Sequence, residues 1–172
     1  MSGYKSFAVA GVGSIGTFFV DELIKLKKAG IVNSVSALTR PVRALRITHV
    51  IQFTDRLQII SQGSKTIVPD GAQAVRVDYA DPAALKAALH GVDVVISALG
   101  GDAIQVQLPI AEAAKAAGVK LFVPSEFGNP TTGDHSPGPL RPKSDLHAIL
   151  KKLGLPYTLF FTGPWPDYCF VP

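Results

Sequence analysis

Short β-branched runs alternate with segments of helical period along most of this chain. Residues 7–10, "FAVA", read as a strand that runs straight into glycines. Beyond them Ile15, Phe18, Phe19, Leu23 and Leu26 recur at helical spacing, with Asp21, Glu22, Lys25 and Lys28 largely off that face, which predicts an amphipathic helix. Residues 35–39 predict a second strand and 74–78 a third. Asp81 followed by Pro82 supplies an N-cap and a proline at the first helical position; the helix "PAALKAALHG" then stops at Gly91, a left-handed C-cap. "VDVVISALGG" is almost wholly apolar, as a strand must be when both faces of a parallel sheet are covered. An Ala-rich helix ending near Gly118 follows, then the strand "KLFVP", a Pro/Gly-rich loop, a helix over 144–153 and a closing strand "PYTLFFTG". Such alternation predicts an α/β fold, a parallel sheet wound on both sides, in one domain over 1–172.

One stretch fits neither period. Between Arg40 and Ala74 a doubly wound fold needs one crossover helix, yet the chain is far longer than that. The reading is an oversized, partly irregular crossover at about 42–73, with Leu57–Ile60 in a short helix and Lys65–Val68 in a short strand. The alternative is that part of 42–62 is an insertion foreign to the fold, even translated non-coding sequence.

Composition narrows the partners. The 172 residues are 47% hydrophobic and only 17% charged, enough apolar material for a sizeable core. A net charge of +4 is scattered rather than gathered in a basic face, which argues against nucleic acid and is compatible with an anionic small molecule. The one cysteine, Cys169, rules out an internal disulfide and favours a reducing compartment. The N-terminus lacks the pattern of a signal peptide, and no apolar stretch approaches the ~18 residues of a membrane span, so a cytoplasmic protein is expected.

Gly11, Gly13 and Gly16 form G-x-G-x-x-G directly after a strand and at the opening of a helix. The first glycine permits a sharp turn, the second lets backbone approach a pyrophosphate, and the third lets helix and strand pack closely. With Ser14 and Ile15 they present unpaired N–H groups at the positive end of a helix. The bland reading is a tight turn; the strand–turn–helix setting favours a dinucleotide. The second strand then ends "ALTRP", with Arg40 where an NAD site commonly has an acid. A guanidinium pairs with a 2′-phosphate, so NADP(H) is the expected cofactor, against an ordinary solvated arginine. Ser97, Ala98, Leu99 and Gly100 end the fourth strand, and Pro124, Ser125, Glu126 and Phe127 follow the fifth, where a ligand of such a sheet sits.

The run "VDVVISALGGDAIQVQLPIAEAAKAAGVKLFVPSEFG", at 92–128, resembles the NmrA-like, isoflavone reductase-like family of atypical short-chain reductases. The glycine turn, "LTRP", "VRVDYADPAALKAALHGVD" and "LGLPYTLFFTGPW" extend the resemblance over most of the chain except about 42–73. It implies an NADP-binding Rossmann-like domain followed by a smaller substrate domain, most of which is expected to be absent because this chain stops at "PWPDYCFVP". It also implies either NADPH-dependent reduction of small phenolic substrates or, as the alternative, a catalytically silent NADP-sensing module that regulates a protein partner. The family's glycine turn often reads G-x-x-G-x-x-G, and here Ala10 holds its first position. In the reductases a lysine past "PSEFG" serves as catalytic acid/base, and Lys143 holds that position ahead of "GLPYT".

From its own surroundings Lys143 reads either as a surface lysine near a helix start or as a partly desolvated proton carrier at the sheet's carboxyl edge. His147, one turn on, reads as a packing or surface histidine; His49, His90 and His135 show no metal-ligand spacing. No Tyr-x-x-x-Lys pair of the ordinary short-chain dehydrogenases is present. Trp165, Tyr168 and Phe170 are expected to be exposed near the C-terminus and to promote self-association.

Overall fold

The computed structural model describes residues 3–40, 68–133, 136–138 and 140–165. In chain order they form β1 (Ser6–Ala10), α1 (Ser14–Lys28), β2 (Ser34–Thr39), β3 (Gln73–Arg76), α2 (Pro82–Ala88), β4 (Val94–Ser97), a 3-10 turn (Gly101–Val106), α3 (Gln107–Ala116), β5 (Leu121–Val123) and α4 (Arg141–Leu153). The strands make one parallel sheet in the order β3-β2-β1-β4-β5. The chain leaves β1 toward β2 on one side and returns to β4 on the other, so the winding reverses between β1 and β4. This is the doubly wound sheet that the alternating pattern predicts.

Period-two alternation along the strands divides the core into two layers. Ala8, Ala10, Val95 and Phe122 face one layer, where Leu85 of α2, Leu89 just past its end, and Ile110, Leu146 and Leu150 of α3 and α4 cover them. Val9, Val94, Ile96 and Val123 face the other, closed by Val20, Leu23 and Ile24 of α1. Residues 41–67 lie outside those described, and with them most of the expected oversized crossover and the whole question of an insertion at 42–62. Among the described residues no helix is long and apolar enough to cross a membrane.

Three expectations need correction. The apolar face of α1 is Gly16, Val20, Leu23 and Ile24; Phe18 and Leu26 are 71% and 40% exposed. Periodicity gives the helix a stripe but not its rotation. That rotation follows from Gly16, which has to face the preceding turn. Second, "PYTLFFTG" is not a strand. It makes one parallel bridge, Tyr157 with Phe122, and then leaves the sheet. Its neighbour β5 is only three residues long, because Pro124 has no N–H to continue the ladder and the chain turns there. Third, α4 begins at Arg141, ahead of the expected Ser144, with Pro142 in its first turn where the missing N–H costs nothing.

Other local signals act as their chemistry requires. The Asp81 side chain accepts from the N–H groups of Ala83 and Ala84, both at 3.0 Å, and Gly91 has φ +74° past the end of α2. Replacing Asp81 with Ala is expected to cost about 1 kcal/mol of stability, measured by urea unfolding, because two first-turn N–H groups lose their acceptor.

Candidate functional site

Because all five strands are parallel, their carboxyl ends share one edge, and the segments that follow β1, β2, β4 and β5 gather there. The three glycines after β1 do different things. Gly11 has φ +90°, and a Cβ on it would lie 2.9 Å from both the Ala98 carbonyl oxygen and Leu99 Cδ2. A Cβ on Gly16 would lie 1.9 Å from the Gly11 carbonyl oxygen, a collision with backbone. Both positions are therefore dictated by the protein's own packing. Gly13 is not: it has φ −90°, and nothing lies within 4 Å of where its Cβ would be. Beside it α1 starts with no side-chain cap and no acid in its first turn. An open space against bare backbone, at the positive end of a helix, is the cradle that a phosphate requires.

Tyr79 braces this turn from behind. Its buried hydroxyl donates to the Leu38 carbonyl at 2.8 Å, and the Gly11 N–H donates to the same oxygen at 3.3 Å. Burial pushes the phenol up to about 12, opposed by the Arg40 charge and the Gly11 N–H. Arg40 itself is exposed at the end of β2, close enough to act on Tyr79. At the end of β4, Ser97 is fully buried and its Oγ has no hydrogen-bond partner among the described residues. Ala98 is half-buried, Leu99 packs into the core, and Gly100 is exposed with no atom near its Cβ position.

The segment after β5 is held from several sides. Pro124 ends the strand and is buried, and the Ser125 N–H donates to Gln107 Oε1 at 2.7 Å. Phe127 has φ +33°, a strained value for a bulky residue. Its N–H donates to the Phe160 carbonyl at 2.9 Å, its carbonyl accepts from the Trp165 indole N–H, and its ring lies 5.1 Å from that of Phe19 on α1. Trp165, expected to be exposed, is half-buried and serves as a clamp on this turn. Tyr168 and Phe170 lie outside the described residues, as does Cys169.

Lys143, in the first turn of α4, donates from Nζ to the Glu126 carbonyl oxygen at 2.7 Å. Burial lowers its proton affinity below the ordinary lysine range, and the Glu126 charge opposes that. The buried Glu126 carboxylate accepts from Thr131 Oγ1 at 2.9 Å through Oε2 and meets His147 Nε2 at 2.7 Å through Oε1. His147 is 8% exposed and stacks on Tyr157, with ring centroids 6.4 Å apart. It is a buried member of the cluster, whereas its spacing alone suggested packing or the surface.

The sequence-predicted residues thus form two groups on one edge. One is the glycine turn with Arg40 and 97–100; the other is Ser125, Glu126 and Lys143, and the Phe19–Phe127 contact joins the two. Gln107, Thr131, Tyr79 and His147 were not among the predicted site residues. Only His147 carried a signal, its position one turn from Lys143. Hollows of about 460 Å³ against α1 (Phe18, Asp21, Lys25) and about 350 Å³ between α2 and α3 (Lys86, Glu112) contain none of these residues. Among the described residues no group of His, Cys, Asp and Glu could hold a metal ion.

The sequence profile of the NmrA-like family matches residues 6–169. The chain belongs to the NmrA-like family. A bifunctional pinoresinol-lariciresinol reductase of Thuja plicata is 35% identical over 174 residues, covering 95% of this chain and 51% of that protein. An asnovolin J 5′,6′-dehydrogenase of Aspergillus novofumigatus is 33% identical over 159 residues, covering 91% of this chain and 43% of that protein. Among solved structures, AtPrR2 with NADP+ and (+)-pinoresinol superposes with a TM-score of 0.71 at 25% identity, over 98% of this chain and 53% of that one. This NmrA-like chain spans about half the length of the relatives it matches.

Gly16 and Gly13 separate by stability. Gly16→Ala is expected to cost roughly 1–3 kcal/mol through overpacking against backbone. Gly13→Ala, at an ordinary φ and facing open space, should stay within about 1 kcal/mol of the parent. Thermal unfolding of the two variants checks both.

Proposed function

We propose that this chain is the NADP(H)-binding part of a reductase acting on small aromatic, phenolic substrates, with Lys143 as the proton carrier. The observation that carries the reading is the open cradle beside Gly13 at the uncapped start of α1, with Arg40 rather than an acid at the end of β2. Gly11, Gly13, Ser14, Ile15 and Gly16 would hold the pyrophosphate by backbone, and the Arg40 fork would take the 2′-phosphate. Residues 97–100 and 124–127 would line the remainder of the cofactor along the same edge. When bound, NADPH supplies a hydride.

The chain's own contribution to chemistry is a proton. Lys143 Nζ is half-buried, and that desolvation brings its ammonium and amine forms closer in energy than on a free lysine, while the nearby Glu126 charge favours the ammonium. As ammonium it gives a proton to an oxygen developing negative charge; as amine it takes one from a phenol. The relatives support this reading: one is named a bifunctional pinoresinol-lariciresinol reductase, and a superposed structure holds NADP+ with (+)-pinoresinol.

Arg40→Ala is expected to weaken NADPH binding by roughly 10- to 100-fold, the loss of a charge-assisted pair, and to leave NADH binding nearly unchanged, by fluorescence titration. Equal losses for both would remove the 2′-phosphate assignment. In a panel of phenolic enones and benzylic ethers, Lys143→Met should lose NADPH oxidation while keeping NADPH binding. Parent turnover should fall on the alkaline side below the ordinary lysine range, since Lys143 titrates early and its ammonium is the donor. Nucleotide binding with no turnover on any substrate would instead favour a nucleotide-sensing module.

A further inference from the structure

The arrangement around Glu126 is not the one that electrostatics alone would choose. A half-buried ammonium lies against the backbone carbonyl of a glutamate whose own carboxylate is buried nearby, yet the two make no ion pair. In a poorly solvated site the direct pair is the favourable contact unless other hydrogen bonds hold the carboxylate away from the amine. Here both of its oxygens are held by other donors. Thr131 donates to Oε2, and with Glu126 ionised His147 donates to Oε1 from Nε2. The imidazole lies nearly parallel to the Tyr157 ring, at an interplanar angle of 15°, and α4 carries His147 one turn beyond Lys143, which sets the spacing between donor and amine.

We propose that His147 is a positioning residue for Lys143: together with Thr131 it holds both oxygens of the Glu126 carboxylate, so that the carboxylate cannot close onto the lysine amine. Lys143 is thereby kept on the Glu126 carbonyl, from which it exchanges a proton with a substrate. A lysine captured by the carboxylate would hold its proton more tightly, making it a weaker acid toward a developing oxygen and no base toward a phenol. Among the described residues the ionisable groups around this point are Lys143 and His147 from α4, Glu126 from the turn after β5, and Tyr157 from the segment after α4. Asp145, also on α4, is paired with Arg141 at 2.7 Å at the surface. The proposal rests on the reading of Lys143 as the proton carrier.

The test is the titration of Lys143 itself, followed by NMR in protein labelled with 13Cε-lysine, its signal assigned by its absence in Lys143→Met. His147→Phe keeps a ring beside Tyr157 and removes the donor. It is expected to raise the Lys143 midpoint by about one unit, a tenfold gain in proton affinity. His147→Gln, which retains an N–H donor, should return the midpoint toward the parent value, and adding Glu126→Gln to His147→Phe should abolish the rise. Thr131→Val frees the other oxygen and should raise the midpoint by a smaller amount; it serves in place of His147→Phe if that variant does not fold. An unchanged Lys143 midpoint in folded His147→Phe, or in folded Thr131→Val where the former does not fold, overturns the proposal. The titration needs no substrate, whereas the proton-carrier reading stands or falls on turnover of Lys143→Met, so the two fail separately.

Discussion

The contact between Gly16 and the Gly11 carbonyl sets the remainder of the site. Where a Cβ would sit 1.9 Å from that oxygen, only a hydrogen fits, and α1 is drawn against the turn that starts it. The contact fixes the rotation of the helix about its axis. Val20, Leu23 and Ile24 then face the sheet, Phe18 points to solvent, and Phe19 lands against Phe127. The helix start is left uncapped beside the space at Gly13. Packing necessity and ligand access therefore fall on different glycines of the same motif.

The second half of the site depends on a short strand. β5 ends at Val123 because proline follows, and the chain must turn at once above the sheet edge. That turn places Phe127 at φ +33°, which persists because its N–H, its carbonyl and its ring are each held by a different part of the chain. The same turn aims the Glu126 carbonyl at Lys143 and its carboxylate inward at His147 and Thr131. One residue thus supplies a neutral anchor for the amine with its backbone and a buried charge with its side chain. Which of the two the amine meets is decided by the partners of the carboxylate.

Much of the fold was legible in the chain. Alternating β-branched runs and helical stripes are local properties, and they gave the order of elements and the parallel sheet. Asp81-Pro82 and Gly91 bound a helix by capping chemistry that acts within one turn. The glycine spacing and Arg40 were legible for the same reason, since each follows a strand directly. The phase of α1 was misread because Phe18 and Leu26 satisfy the helical period as well as Val20 and Ile24 do. "PYTLFFTG" was misread because β-propensity does not show that its neighbour ends after three residues.

By itself, then, the sequence determined most of the elements and their order, the strand-end positions of the candidate residues and the NmrA-like relationship. Tertiary structure alone decided how Glu126, His147, Thr131 and Lys143 meet, and that Trp165 clamps Phe127 rather than facing water. The reason is range. Periodicity, capping and turn chemistry are decided within a few residues. Which partner a buried polar group takes is decided by whatever the packed core brings within 3 Å, and in Glu126 and His147 those partners come from separate elements.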